Sequence, residues 1–318
     1  MHIGIITPAA AKSLNGNRAT AVRWADFLRQ LGHHVTINVD WQGENYDLIV
    51  ALHAWRSADS IAAFKRQFPD RPLVLAMTGT DLYRFINTHP EPTLASISAA
   101  DRIVTLHQLA ARVLPESAQH KVHVIHQSAL PLPGPVKRSV RHFDVCVVGH
   151  LRDEKDSLRA AFAVRDLPED SKLRVLHYGR AHNEVWEKYA EDEMKINPRY
   201  HWFGEVPHAK VRRAYASSHL MVLPSVMEGG ANVISEAVVA GLPVIASEID
   251  GSVGLLGEDY AGYFPVQDTE RLRELLLKAE NEPGYVQQLE RQCNKRAGLF
   301  TREAEKQAWA ELINDMSF

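Results

Sequence analysis

Two cysteines in 318 residues, Cys146 and Cys293, are too few and too far apart to frame a disulfide-stapled fold. They read as small buried apolar side chains in a chain suited to a reducing cytoplasm. No apolar run approaches the ~18 residues that span a bilayer. The opening Met1-His2-Ile3-Gly4-Ile5-Ile6-Thr7-Pro8 lacks the basic start and long apolar stretch of a signal peptide. Asp-x-Asp is absent, and so is any cysteine–histidine cluster at zinc spacing, so neither a metal nor another cofactor is expected. Without Gly-x-Gly there is no G-x-G-x-x-G dinucleotide fingerprint, and no Gly-Lys-Ser/Thr marks a P-loop. These absences weigh against a dehydrogenase and a P-loop NTPase. Strong charge is also missing: 36 Lys and Arg against 39 Asp and Glu leave −3, which does not recruit nucleic acid.

What remains is an ordinary globular composition, 45% apolar and 24% charged, long enough for two cores. Residues 1–130 hold 12 Lys and Arg against 10 Asp and Glu, a balance of +2, and nine of the 16 His. The remainder holds 24 against 29, a balance of −5. The first part thus leaves room for an anionic ligand.

Short apolar runs at 1–7, 35–39, 48–52, 73–77, 102–106 and 122–125 alternate with amphipathic stretches such as 20–31 and 57–67. That alternation predicts β-α-β units and a parallel sheet covered on both faces. Leu130-Pro131-Leu132-Pro133-Gly134-Pro135 cannot continue a helix or a central strand and reads as a linker. A second series follows, with strands expected at 143–148, 173–177, 200–203, 219–223 and 243–246. Its helices are expected at 157–164, 208–217 and 232–240, and the chain reads as helical from Thr269 onward. The fold class is α/β: two doubly wound Rossmann-like domains facing across a cleft. They cover residues 1–136 and 137–302, with a last helix at about 303–318 that packs back on the first. Ligands of such sheets bind beyond the carboxyl ends of the strands.

The sharpest segment is Glu228-Gly229-Gly230-Ala231-Asn232 with Glu236. A strand ends near Leu223, a loop of small residues follows, and a helix is expected to start at Asn232 as its N-cap. Glycines let backbone N–H groups approach a ligand closely, and a helix N-terminus favours phosphate. Two glutamates eight positions apart can accept hydroxyls at two places on one extended polar ligand. A plain strand–loop–helix turn with two solvated glutamates is the simpler account of the segment taken alone.

Its neighbours change that balance. Glu228 and Glu236 with seven residues between resemble the E-x7-E motif of the large retaining glycosyltransferase family numbered 4 (group 1). The next turn and strand, Ala240-Gly241-Leu242-Pro243-Val244-Ile245-Ala246-Ser247, resembles that family too. So, in order, do Gly149-His150-Leu151-Arg152-Asp153-Glu154-Lys155, Tyr178-Gly179, Phe203-Gly204-Glu205-Val206-Pro207 and Leu223-Pro224-Ser225. The resemblance implies a GT-B fold and a nucleotide-sugar donor. It implies that Lys155 contacts the donor diphosphate, Glu228 the sugar hydroxyls and Glu236 the ribose. Gly149 and His150 form the first donor loop, Gly229, Gly230, Ala231 and Asn232 bracket phosphate and sugar, and Val206 lies where the base is read. His150 departs from the family's arginine, so either His150 or Arg152 supplies a second cation for the charge that develops on the leaving group. A solvated charged loop is the plainer account of Arg152 and Lys155.

Three loops of the first part point to the same sheet edge. Asn15-Gly16-Asn17-Arg18 precedes a helix, Leu52-His53-Ala54-Trp55-Arg56 follows the third strand, and Thr78-Gly79-Thr80-Asp81-Leu82-Tyr83-Arg84 follows the fourth. Gly16, Asn17, Arg18, His53, Arg56, Thr80 and Asp81 are therefore the acceptor-side candidates, His53 and Asp81 the candidate bases, and a small anionic acceptor is expected. A structural histidine is the plainer account of any one of these histidines. The strings Gly16-Asn17-Arg18, His53-Ala54, Thr78–Arg84 and Gly149-His150-Leu151-Arg152 are similar to the selenosugar synthases of selenoneine biosynthesis. That likeness implies a UDP-sugar donor, selenophosphate as acceptor and a new selenium–carbon bond. Alternatives are a GT-B transferase with a hydroxyl acceptor (a sugar, a lipid or a small metabolite), a nucleotide-sugar epimerase, and a non-catalytic binder.

Overall fold

The computed structural model describes residues 1–10 and 16–316. The chain divides into two compact units, Met1–Gln127 together with Arg302–Phe318, and Ser128–Thr301. The division falls nine residues before the sequence boundary at 136, because the proline-rich stretch is bonded into the second unit. Ala129 N–H donates to the Phe300 carbonyl at 3.0 Å and Lys137 N–H to Ala216 at 2.9 Å. Arg212 donates to the carbonyls of Leu130 and Pro131. Proline offers a carbonyl but no N–H, and one guanidinium fork serves the carbonyl of Pro131 together with that of Leu130.

The first unit holds six parallel strands: β1 (His2–Ile6), β2 (His34–Asn38), β3 (Leu48–Leu52), β4 (Leu73–Ala76), β5 (Arg102–Thr105) and β6 (Val122–Val124). Their order is β2-β1-β3-β4-β5-β6. Every residue of β3 is buried, which explains its unbroken Leu-Ile-Val-Ala-Leu: helices cover both faces, so no alternation is needed. One face packs on Trp24, Phe27 and Leu28, the other on Ile61 and Phe64. The helix Arg302–Asp315 belongs to the first face. Trp309 meets Trp24 edge-on at 4.9 Å, and Glu305 accepts from Trp24 Nε1 at 2.7 Å. Arg23 lies 3.0 Å from the same carboxylate, so this buried charge is paired and hydrogen-bonded.

The second unit repeats the plan with β7 (Phe143–Val148), β8 (Leu173–Tyr178), β9 (Tyr200–Trp202), β10 (Leu220–Leu223), β11 (Val244–Ser247) and β12 (Tyr263–Phe264). The order is β12-β11-β10-β7-β8-β9, all parallel. The sequence reading has five of these strands; β12 is only two residues long. In each sheet the strand order reverses once, between β1 and β3 and between β7 and β10. Loops diverging from such a switch point open a crevice at the carboxyl ends of the strands. Among the described residues no helix is long and apolar enough to cross a membrane.

Candidate active site

In the second unit the two strands at the switch point carry the two sharpest sequence segments. β7 runs out into Gly149 and His150, and β10 into the loop 224–231. A backbone bond from Val226 N–H to the Glu154 carbonyl, 2.9 Å, ties these loops together. Lys155 Nζ lies 2.5 Å from Glu228 Oε1, and Ser225 Oγ donates to the same oxygen at 2.7 Å. Both members of the ion pair are largely but not fully buried, with 17% and 11% of their side chains exposed. Ser225 is itself fixed by Ser247 Oγ, which donates to its carbonyl at 2.5 Å from the end of β11.

The Glu228 backbone is also confined from behind. Gly251 is the second residue of the helix Asp250–Leu256, and a Cβ there would lie 2.1 Å from the Glu228 carbonyl oxygen. Only glycine lets the two segments meet so closely. Beyond Glu228, Gly229 is buried and Gly230 turns the chain through φ 117°, a region glycine enters without strain. The helix Asn232–Val239 then begins. Its N-cap is Ala231, not Asn232 as the sequence reading has it, and no side chain caps it. The first N–H groups of this helix therefore lack an intrahelical partner. Asn232 instead turns its amide onto its own helix, donating from Nδ2 to Glu236 Oε1 at 2.8 Å.

Glu236 is held by a second helix as well. Tyr215 OH, from the helix His208–Ser217, donates to Oε2 at 2.8 Å, and His208 Nε2 stands 3.4 Å from Oε1. Val206, half-buried, precedes this helix by two residues. Neither Tyr215 nor His208 stands in a motif of the sequence. The sole signal was the helical spacing of seven, which puts both on one face.

The cation at the first loop comes out differently. His150 Nδ1 accepts the Arg180 N–H at 3.2 Å, and burial, then the Arg180 guanidinium, hold the imidazole below the ordinary histidine range. Both effects disfavour its charged form. Arg152 is half-exposed, with Nε 3.9 Å from the Glu154 carboxylate. Arg180, which carries no motif, is a further cation on this rim. Beneath the loop, fully buried His177 donates from Nε2 to the Gly149 carbonyl, 3.1 Å, and accepts from Tyr200 OH at Nδ1, 3.1 Å. Burial pushes its pKa down to about 4, so this neutral tautomer persists.

In the first unit the loops after β3 and β4 meet. His53 adopts φ 77°, a region unusual for a side-chain-bearing residue, and its Nδ1 lies 2.7 Å from Asp81 Oδ1. The carboxylate only accepts, so Nδ1 carries the hydrogen. The Arg56 N–H, 3.3 Å from the same nitrogen, is then a contact and not a hydrogen bond. This tautomer leaves Nε2 as the ring's acceptor. Asp81 Oδ2 receives Thr78 N–H at 3.0 Å and Thr78 Oγ1 at 2.9 Å, while Trp55 N–H approaches Oδ1 at 3.4 Å. Thr80 Oγ1 is 3.4 Å from Thr78 Oγ1, just ahead of a single π-helical turn, Asp81–Phe85. Trp55, Phe85 and His89 cluster beside His53 at tilted and edge-on angles, with the Trp55 ring centroid 4.4 Å from that of Phe85 and 4.1 Å from that of His89. Exposed Arg56 lies 5.8 Å from the Trp55 ring. Gly16, Asn17 and Arg18 form the first turn of the helix Gly16–Gln30 and not a loop ahead of it; Asn15 lies outside the described residues. That helix follows β1, the neighbour of β3, so both segments belong to one sheet edge.

Comparisons with known proteins identify the family and the fold. Residues 136–300, just over half of the chain, match the family model described as glycosyl transferases group 1. A protein of Bacillus subtilis (strain 168), named as a teichuronic acid biosynthesis glycosyltransferase, TuaC, is 24% identical over 281 residues, covering 82% of this chain and 68% of its own. Among solved structures, Anabaena Alr3699/HepE in complex with UDP-glucose aligns with TM-score 0.78 at 15% identity, covering 99% of this chain and 100% of the other. Sucrose-phosphate synthase from Thermosynechococcus elongatus gives 0.77 at 17% identity, over 99% and 98%. Both share the fold, two parallel six-stranded sheets of the GT-B type. The chain belongs to the group 1 glycosyl transferases and is a glycosyltransferase.

Proposed function

We propose that the protein transfers a sugar from a UDP-sugar to selenophosphate, in the cytoplasm and without a metal. The Lys155–Glu228 pair beside the uncapped start of the helix Asn232–Val239 carries the donor half. Glu228 holds the lysine in place, the lysine and the helix N–H groups meet the diphosphate, and Glu236 takes the ribose. That HepE has been crystallised with UDP and with UDP-glucose supports this choice of donor.

Selenophosphate is already anionic and strongly nucleophilic, so no side chain has to remove a proton from it. Selenium attacks the anomeric carbon, the carbon–selenium bond forms, the bond to the diphosphate oxygen breaks, and the electron pair leaves on UDP. His53, oriented by Asp81, then positions the acceptor, and Arg18 and Arg56 favour its charge. Support comes from the strings shared with selenosugar synthases, and from Cys146 and Cys293, both free, which suit a compartment where a selenium nucleophile stays reduced.

A hydroxyl acceptor is the second reading, favoured by the half-buried Trp55 ring and the exposed His89 beside it, aromatic surface suited to a sugar ring. In that case His53 Nε2 takes the proton. Incubation with UDP-sugars and selenophosphate in the presence of EDTA, followed by mass spectrometry, should yield a selenium-containing sugar. Lys155→Ala and Glu236→Ala should each lower its rate at least about a hundredfold with the fold intact. Turnover of hydroxyl acceptors with no selenium product would replace the proposal by the second reading.

A further inference from the structure

Glu236 has four acceptor positions, two on each carboxylate oxygen. Two are filled from within the protein: Tyr215 OH at Oε2 and Asn232 Nδ2 at Oε1, each at 2.8 Å. A third is touched at 3.4 Å by His208, whose side chain is 64% exposed and can swing aside. With His208 displaced, one position stays open on each oxygen. Two parallel acceptors on one rigid carboxylate are the complement of two neighbouring hydroxyls.

We propose that Tyr215 is a positioning residue that makes Glu236 a reader of a vicinal diol, so that the site takes a ribonucleotide and discriminates against its 2′-deoxy analogue. This rests on the reading of Glu236 as the ribose contact. Tyr215 is fully buried, so its hydroxyl has no water to turn to. Burial, followed by the Glu236 carboxylate, holds the phenol well above its ordinary pKa, so it stays a donor at neutral pH. Its side chain leans toward the start of its own helix and meets Glu236 across the gap between two helices. Without that bond the carboxylate can rotate about its last torsion, which is soft, and lose the two-point geometry.

Calorimetry with UDP and with 2′-deoxy-UDP tests this on the wild type, Tyr215→Phe, Glu236→Gln and the double variant. The wild type should prefer UDP about tenfold or more, the range expected for a hydrogen bond to a charged group. Tyr215→Phe should shrink that preference at least about threefold, Glu236→Gln should nearly abolish it, and the double variant should match Glu236→Gln, because Tyr215 acts through Glu236. A wild type that binds both nucleotides equally would overturn the ribose reading itself. A discriminating wild type whose Tyr215→Phe variant discriminates as well would overturn the role of Tyr215 alone. Should Tyr215→Phe fail to fold, Tyr215→Met decides in its place: an undiminished preference for UDP refutes the role of Tyr215.

Discussion

His177 has been turned from a base into a fixed donor. Sealed under the Gly149 carbonyl and satisfied at both nitrogens, it has a pKa of about 4 against 6.5 for a free histidine. The unfolded chain takes a proton there near pH 6.5 and the native chain only near pH 4. The stability that the neutral ring secures is therefore complete above pH 6.5 and lost as pH falls toward 4, by about 3 kcal/mol. Urea midpoints of the wild type should drop over that window, and those of His177→Gln should drop less. Equal slopes would refute the assignment. The same physics explains what the motif did not reveal at His150. A sequence shows a histidine where an arginine is usual, but not that burial and Arg180 disfavour its charged form. Lys155 and Glu228 stand in the two motif segments that the structure brings into contact. Tyr215 was not legible, because it reaches Glu236 from another element.

At the scale of elements, the legible parts are those dominated by burial. Continuous apolar runs such as Leu48–Leu52 announce strands covered on both faces. The two residues of β12 are too few to show a pattern, and the π-helical turn at Asp81–Phe85 has no periodicity of its own. The helix Asn232–Val239 starts where the sequence places it, but Asn232, a good capping residue, does not cap it because its amide is drawn away by Glu236. The helix Asp250–Leu256 matters for Glu228 through one missing methyl. Gly251→Ala places a carbon against backbone that has to move. Overpacking of this kind costs about 1–3 kcal/mol. Turnover should fall at least about tenfold, with a lowered melting temperature and a folded chain by circular dichroism. Unchanged turnover would show that the Glu228 loop tolerates the shift.

For the whole molecule, the return of the last helix to the first unit makes the fold depend on both ends of the chain. Trp309 is fully buried against Trp24, and truncating such a ring costs about 3–5 kcal/mol. Trp309→Ala should therefore lower the melting temperature while UDP binding, placed in the second unit, persists by calorimetry below the transition. Loss of UDP binding in a folded variant would contradict that assignment. The alternation of strands and helices made the two-sheet architecture legible. The boundary near 127 was not, since prolines signal an interruption but not the side to which it is bonded. Asp81 has a practical consequence of its own. Its carboxylate is gripped by groups from the loops after β3 and β4 together, His53 and Trp55 from one and Thr78 from the other. Anyone grafting either loop from a relative must move both as a single cassette, for either one alone arrives without the partner that gives it shape.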